Sequence, residues 1–600
     1  MFQTFDEKAD GSKGPERLAA LRAGMAAARL DAFIVPRADA WQGEYVAPCD
    51  ERLAWLTGFT GSAGFCAVLA DQAGVFVDGR YRVQVHDEVA DVFTPVDWPE
   101  VQLGDWLTER LAPGAVVGFD PWLHTVAEVD TLRSTLEKKG LTLRATPNLI
   151  DPIWPDRPAP PDAPFFAYPI ENAGETSVDK RARLGKSLSG NGQTAALLCQ
   201  PDSIAWLLNI RGADIEKNPV PQSFAILRAN GTCALYARDG RADAIRDHLG
   251  AEVTVHLLDD LTRDLADLTG PVLIDPKSTP RALADALAGA KVATEDGADP
   301  CALPKARKNP TELKGMREAH LRDGAAMCRF LHWLSEAAPK GTLTEIDVVT
   351  ALEGFRRDTN ALLDISFDTI AGTGPNGAIM HYRVTNRTNR ALKDGDLIVV
   401  DSGGQYIDGT TDITRTMGIG TVGADERRCY TRVLQGMVAI SRARFPKGVG
   451  GQHLDALARA PLWADGMDFD HGTGHGVGVY LCVHEGPQGL SRRSSVPLEP
   501  GMILSNEPGY YRNGAFGIRI ENLVAVTDPA PFPGGDAHRA LMGFETLTFV
   551  PLDRGLIDAS LLSPDEKAWI DAYHADTLAR IGPRLDGAAS DWLKAACAPL

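Results

Sequence analysis

Between Pro152 and Pro164 the chain reads PIWPDRPAPPDAP. A run so rich in proline cannot be a helix interior or a central strand, because the ring fixes φ and removes the backbone donor. The chain is cut there. A second break, the turn-forming run KARKNPT from Lys305 to Thr311, leaves segments of about 150, 150 and 290 residues. At 600 residues the protein is too long for one hydrophobic core, so these breaks read as domain boundaries.

The first boundary has support from a short internal echo. Arg52-Leu-Ala-Trp55-Leu-Thr-Gly58 returns as Ser203-Ile-Ala-Trp206-Leu-Leu-Asn209, 151 residues later. In each half an apolar, strand-like run precedes it (Ala32 to Pro36; Ala195 to Cys199), and helical segments flank it (Glu16 to Leu30; Arg241 to Leu249). Residues 1–160 and 161–308 are therefore expected to be two related α/β domains.

The third region opens with a helical pattern from Thr311 to Ala337, with Thr311 as the expected N-cap. Strand-like runs follow at Leu397 to Asp401, Thr411 to Met417, Gly501 to Leu504 and Gly517 to Val526, an α+β order. Carboxylates interrupt these apolar strands, at a cost unless their charge is compensated. Asp401 ends LIVVD, Asp412 sits in TTDITRT, Glu507 follows MILSN and Glu521 lies in GIRIEN. Strand alternation puts Arg519 and Glu521 on one face of the last run and Ile518 and Ile520 on the other. Close by, HGTGHGVG and His484 gather His471, His475 and His484 into fourteen residues, with too much glycine for a helical pair of ligands. Each acid taken singly has a plainer reading as a turn or cap residue. Together, several carboxylates and an imidazole form a hard, oxygen-rich donor set that suits a pair of Mn²⁺-like ions, with Zn²⁺ or Co²⁺ as alternatives. An Asp408-Gly409 turn would place Asp412 opposite Gln405, so a bulge or bend is expected to bring it to Asp401.

The spacing Asp401-x10-Asp412, with HGTGHG, NEPGYY and GIRIEN, resembles the five-ligand signature of the methionine aminopeptidase and prolidase superfamily, the pita-bread fold. The likeness extends through DGTTDITRT, DGRY at Asp78 to Tyr81 and FETLTFVPLD at Phe544 to Asp553, to the long, three-domain cytosolic aminopeptidases P. It implies two creatinase-like α/β domains, a pita-bread catalytic domain over 309–546 and a C-terminal extension over 547–600. The metal ligands it implies are Asp401, Asp412, His475, Glu507 and Glu521, with Asp412 and Glu521 bridging two divalent ions. A water made into hydroxide between them would attack the bond before proline, while Glu507 relays the proton to the leaving nitrogen. His381, His471 and His484 would hold substrate and stabilise the oxyanion. Arg519 would orient a ligand carboxylate, so that its loss weakens metal binding. Arg80 of DGRY is assigned to the substrate's N-terminal residue. The resemblance also implies a homodimer and substrates with proline in second position.

Other classes fall away. A net charge of −19 without a basic patch disfavours nucleic acid. No stretch reaches the ~20 apolar residues of a membrane span, and the acidic start MFQTFDEKADGSKG lacks a secretory signal, which points to the cytoplasm. Nine scattered cysteines predict reduced, buried thiols. GTGPNG from Gly372 to Gly377 has no βαβ context and reads as an active-site loop rather than a nucleotide motif. Two alternatives to the aminopeptidase stay open: a prolidase with the same metals but a preference for dipeptides, and a catalytically silent scaffold.

Overall fold

The computed structural model describes residues 1–536 and 538–600. They gather into two compact units, Lys8–Leu303 and Met1–Glu7 with Pro304–Leu600.

The Lys8–Leu303 unit is built on two six-stranded sheets. From edge to edge the first runs Thr94–Asp97, Ala73–Val77, Phe65–Leu69, Ala32–Pro36, Val116–Phe119 and Thr142–Ala145. The second runs Val253–Leu257, Cys233–Ala237, Phe224–Arg228, Ala195–Leu198, Val272–Ile274 and Thr294–Asp296. Strand order is the same in both, and so is the sequence of parallel and antiparallel pairings across each sheet. The echoed heptads form the helices Arg52–Thr57 and Pro201–Leu208, each ended by a left-handed residue, Gly58 (φ 87°) and Asn209 (φ 51°). These are the two residue types that adopt αL at least cost. The helix expected from Arg241 to Leu249 shrinks to the 3₁₀ turn Asp243–Ile245 and the single turn Arg246–Leu249, because glycines with positive φ, Gly240 and Gly250, bracket it.

In the other unit the long helix Pro310–Ala337 is capped by Asn309 rather than Thr311. The Asn309 side chain accepts from the backbone N–H of Thr311 and Glu312, and Pro310 takes the first helical position, where no donor is required. This helix, Glu345–Arg357 and Ala424–Arg442 pack with the strands Ile370–Thr373, Leu397–Ser402 and Ile413–Gly418 around one large core. A five-stranded sheet runs Glu485–Leu490, Gly474–Gly476, Ile503–Asn506, Asn522–Val526 and Phe544–Thr546. The C-terminal helices Pro564–Ile581 and Gly587–Ala596 contribute Ile570, Tyr573, Ile581 and Leu593 to the same large core. So do the first residues of the chain, which the sequence reading grouped with the first α/β domain. Buried Gln3 donates to the Thr369 carbonyl at 3.2 Å and accepts from its N–H at 2.8 Å, and the N–H of Asn386 donates to the Phe5 carbonyl at 2.8 Å. A polar opening segment carries no periodicity that could announce such a partner.

Among the described residues no helix is long and apolar enough to cross a membrane. None of the nine cysteines is in a disulfide; eight are buried and Cys482 is half-buried.

Candidate metal centre

Asp401 and Asp412 arrive on one hairpin, with its turn at Ile407-Asp408 rather than Asp408-Gly409. Gln405 pairs with Thr410 and Tyr406 with Gly409, and the same register continues to Ser402 with Ile413 and Asp401 with Thr414. No bulge is needed. Gly409 is a strand residue, and it is glycine because a Cβ there would stand 2.8 Å from Ala319 Cβ and 2.9 Å from Met316 Sδ on the long helix. With this register Asp412 lies opposite Gly403, diagonal to Asp401 and on the same face.

The glycines of HGTGHG serve close packing. A Cβ on Gly474 would meet Ser505 O at 1.9 Å and one on Gly476 would meet Glu485 O at 2.2 Å, so His475 is carried on a strand squeezed between two neighbours. The preceding loop is tied down by buried Arg459, which pairs with Asp455 at 2.8 Å and donates to the carbonyls of Phe469 and His471, each at 2.7 Å. His475 Nδ1 lies 2.9 Å from the Gly476 carbonyl. That carbonyl can only accept, so Nδ1 carries a proton and Nε2 is the nitrogen that faces the acids, 3.5 Å from Asp412 Oδ2 and 3.4 Å from Glu507 Oε1. The donor atoms of Asp412, His475 and Glu521 all fall within 4.8 Å of one another.

Glu507 follows the strand Ile503–Asn506 and accepts from Ser505 Oγ at 3.0 Å. Glu521 sits in the gap between the strands Phe516–Arg519 and Asn522–Val526 and accepts from Thr414 Oγ1 at 2.8 Å. Arg519 turns to Asp401 instead of Glu521, donating from Nη2 at 2.6 Å and Nε at 3.1 Å to Oδ2. Its Nη1 donates to Tyr511 Oη at 2.5 Å, and that hydroxyl lies 2.9 Å from His471 Nε2. Tyr511 and Thr414 were not singled out from sequence, although both lie inside the quoted motifs.

This geometry fits a divalent cation. Asp401 Oδ1, Asp412 Oδ1 and Glu521 Oε1 are buried with no hydrogen-bond partner, unusual for carboxylate oxygens and costly unless a cation faces them. Burial, then the charges of Asp412, Glu507 and Asp401, push Glu521 well above the usual carboxylate range. Asp401 and Glu507 are raised too, chiefly by burial. Burial opposes a charge on His475, yet its bond to Asp412 and the charge of Glu507 bring it up to about 9, so the metal-free cluster draws a proton where a cation belongs.

The His484 ring lies 4.2 Å from that of His475, edge to face. His381 is half-buried in the turn after the 3₁₀ helix Gly374–Ala378, the loop read from GTGPNG. Arg80 belongs to the Lys8–Leu303 unit and is clasped by Asp78 at 2.7 Å.

Models of the creatinase/prolidase N-terminal domain match residues 17–153 and 156–312. Metallopeptidase family M24 matches 314–528, and the C-terminal region of peptidase M24 matches 540–600. A probable Xaa-Pro aminopeptidase P of Laccaria bicolor is 39% identical over 608 residues, which cover 98% of this chain and 93% of that relative. The chain belongs to metallopeptidase family M24. Within M24 it is similar along its whole length to an X-prolyl aminopeptidase from Caenorhabditis elegans, described as a cytosolic enzyme with a di-nuclear active site. The TM-score is 0.94 at 32% identity, covering 98% of this chain and 100% of the other. An Xaa-Pro dipeptidase from Bacillus anthracis shares the M24 fold over only 63% of this chain, with TM-score 0.51 and 24% identity. The chain is thus an M24 metallopeptidase in which two creatinase-like α/β domains precede a pita-bread catalytic domain and a C-terminal extension.

Proposed function

We propose that this protein is an aminopeptidase that hydrolyses the bond between an N-terminal residue and a following proline, using two divalent ions held by Asp401, Asp412, His475, Glu507 and Glu521. The observation that carries the reading is the convergence of Asp412, His475 and Glu521 within 4.8 Å around buried, unpartnered carboxylate oxygens, in a chain similar end to end to Xaa-Pro aminopeptidases P. Two such ions supply acidification of water to a pKa near ~7 and polarisation of the scissile carbonyl.

The chain's own residues do the rest. Glu507, with its proton affinity raised by burial, takes a proton from the attacking water and returns it to the proline nitrogen, a poor leaving group until protonated. His484, edge-on to His475, and His381 hold the substrate and the oxyanion. His471, fixed at Nε2 by the Tyr511 hydroxyl, lines the same site. Arg519 orients Asp401 and opposes the burial that raises its proton affinity. Arg80 is kept as the group for the substrate's first residue.

Mn²⁺ is the metal assigned, on the oxygen-rich donor set, before Zn²⁺ or Co²⁺. The description of the C. elegans protein as cytosolic supports a cytoplasmic location. A homodimer is carried over from the family resemblance and is checked by sedimentation.

Hydrolysis of Arg-Pro-Pro and of an Xaa-Pro dipeptide, by metal-stripped protein and after Mn²⁺ is restored, tests the reading. Tripeptide cleavage recovered with Mn²⁺, and poor dipeptide cleavage, is the expected result. Dipeptide preference would make the protein a prolidase, and inactivity with every divalent metal would leave the silent scaffold.

A further inference from the structure

Arg415 lies on the strand Ile413–Gly418, next to Thr414 and on the opposite side of the strand from it. Thr414 faces the metal centre, whereas the Arg415 side chain, 1% exposed, points into the core. Its guanidinium donates to six oxygens. Nε reaches Pro551 O at 3.1 Å, Nη1 reaches the carbonyls of Thr414 and Glu521 at 2.9 and 2.6 Å, and Nη2 reaches Asn522 Oδ1, Val550 O and Tyr573 Oη at 2.8, 2.7 and 2.9 Å. None of these partners is a carboxylate. Two belong to the segment that carries Glu521, and three belong to the C-terminal extension. The Tyr573 hydroxyl also accepts from Val550 N at 3.1 Å and donates toward Val550 O at 2.8 Å, so it joins the helix Pro564–Ile581 to the guanidinium and to the strand-like run before it.

We propose that the C-terminal helix sets the position of Glu521 through Tyr573 and Arg415, and so tunes the divalent-metal affinity of the site. The proposal rests on the metal-centre reading above. Glu521 is held at both backbone groups: its N–H donates to Thr414 O at 3.1 Å and its carbonyl takes the short bond from Arg415. Charge-assisted bonds of that length are stiff, and a donor set confined within 4.8 Å tolerates little displacement of any member. Tyr573 and Arg415 are thus positioning residues, and the extension is part of the site's support rather than an appendage.

Tyr573→Phe removes one hydroxyl and keeps the ring. Calorimetric titration of Mn²⁺ into the metal-stripped, full-length protein should show binding about tenfold weaker in this variant than in wild type. Asn522→Ala, which withdraws another acceptor from the same guanidinium, should move the affinity in the same direction. Trp592→Leu, which thins the packing of the tail without touching the hydroxyl, should lower Tm and leave Mn²⁺ affinity unchanged. Equal Mn²⁺ affinity in wild type, Tyr573→Phe and Asn522→Ala, or an equal loss in Trp592→Leu, would overturn the clamp while leaving the metal centre intact. Wild type that binds no Mn²⁺ would overturn the metal-centre reading itself.

Discussion

Glu521 is buried among acids and held above its ordinary proton affinity first by burial and then by Asp412, so in the metal-free protein it opposes folding. Glu521→Gln is therefore expected to stabilise the metal-free protein by about 1 kcal/mol while abolishing the rise in Tm that Mn²⁺ gives to wild type. Thermal unfolding with and without Mn²⁺ checks both halves, and a less stable metal-free variant would contradict the argument. The same costliness made the four candidate carboxylates readable, since acids inside apolar runs such as LIVVD and GIRIEN demand an explanation, whereas His475 stood out by the HGTGHG motif. Arg415 gave no such signal. In TTDITRT it looks like an outward-facing strand residue, and five of the six oxygens that surround it come from segments far along the chain.

At the scale of elements, the hairpin that brings Asp401 and Asp412 together depends on a glycine between them. A Cβ on Gly403 would stand 1.9 Å from Thr411 O, so Gly403→Ala should cost about 3 kcal/mol or prevent folding, as judged by denaturant midpoint and recovery of folded protein. The turn itself was misread by one residue. Asp-Gly is a strong local signal, but here the glycine answers to the close approach of the long helix rather than to the turn, and nothing in the local sequence encodes that neighbour. The C-terminal helix carries an acid-sensitive contact. Leu552 N donates to His574 Nε2 at 3.1 Å, which requires neutral imidazole, and burial, then Arg415 and Arg554, lower its pKa to about 4. A histidine depressed in the folded state contributes stability that is full above its unfolded value of ~6.5 and is lost as pH falls toward 4, here about 3 kcal/mol. Unfolding followed from pH 7 to pH 4 should show that loss in wild type and a flatter profile in His574→Gln.

For the whole molecule, the two units have separate hydrophobic cores, and all five candidate ligands lie in the one that contains Pro304–Leu600. Scanning calorimetry should resolve two transitions, of which Mn²⁺ at a hundred times Kd raises only one, by about 2.7 kcal/mol. A single transition shifted as a block would argue against independent cores. The paired α/β sheets were legible from one echoed heptad, but the return of residues 1–7 to the other unit was not. That return fixes a timetable for synthesis. Gln3 and Thr369 are 366 residues apart, so at ~5–20 residues per second the leading segment waits about 20–70 s for its partner, while the α/β unit between them can already fold. The metal-binding half is then the last to assemble and closes on a piece of chain made first, which makes it the half most exposed to interruption of translation.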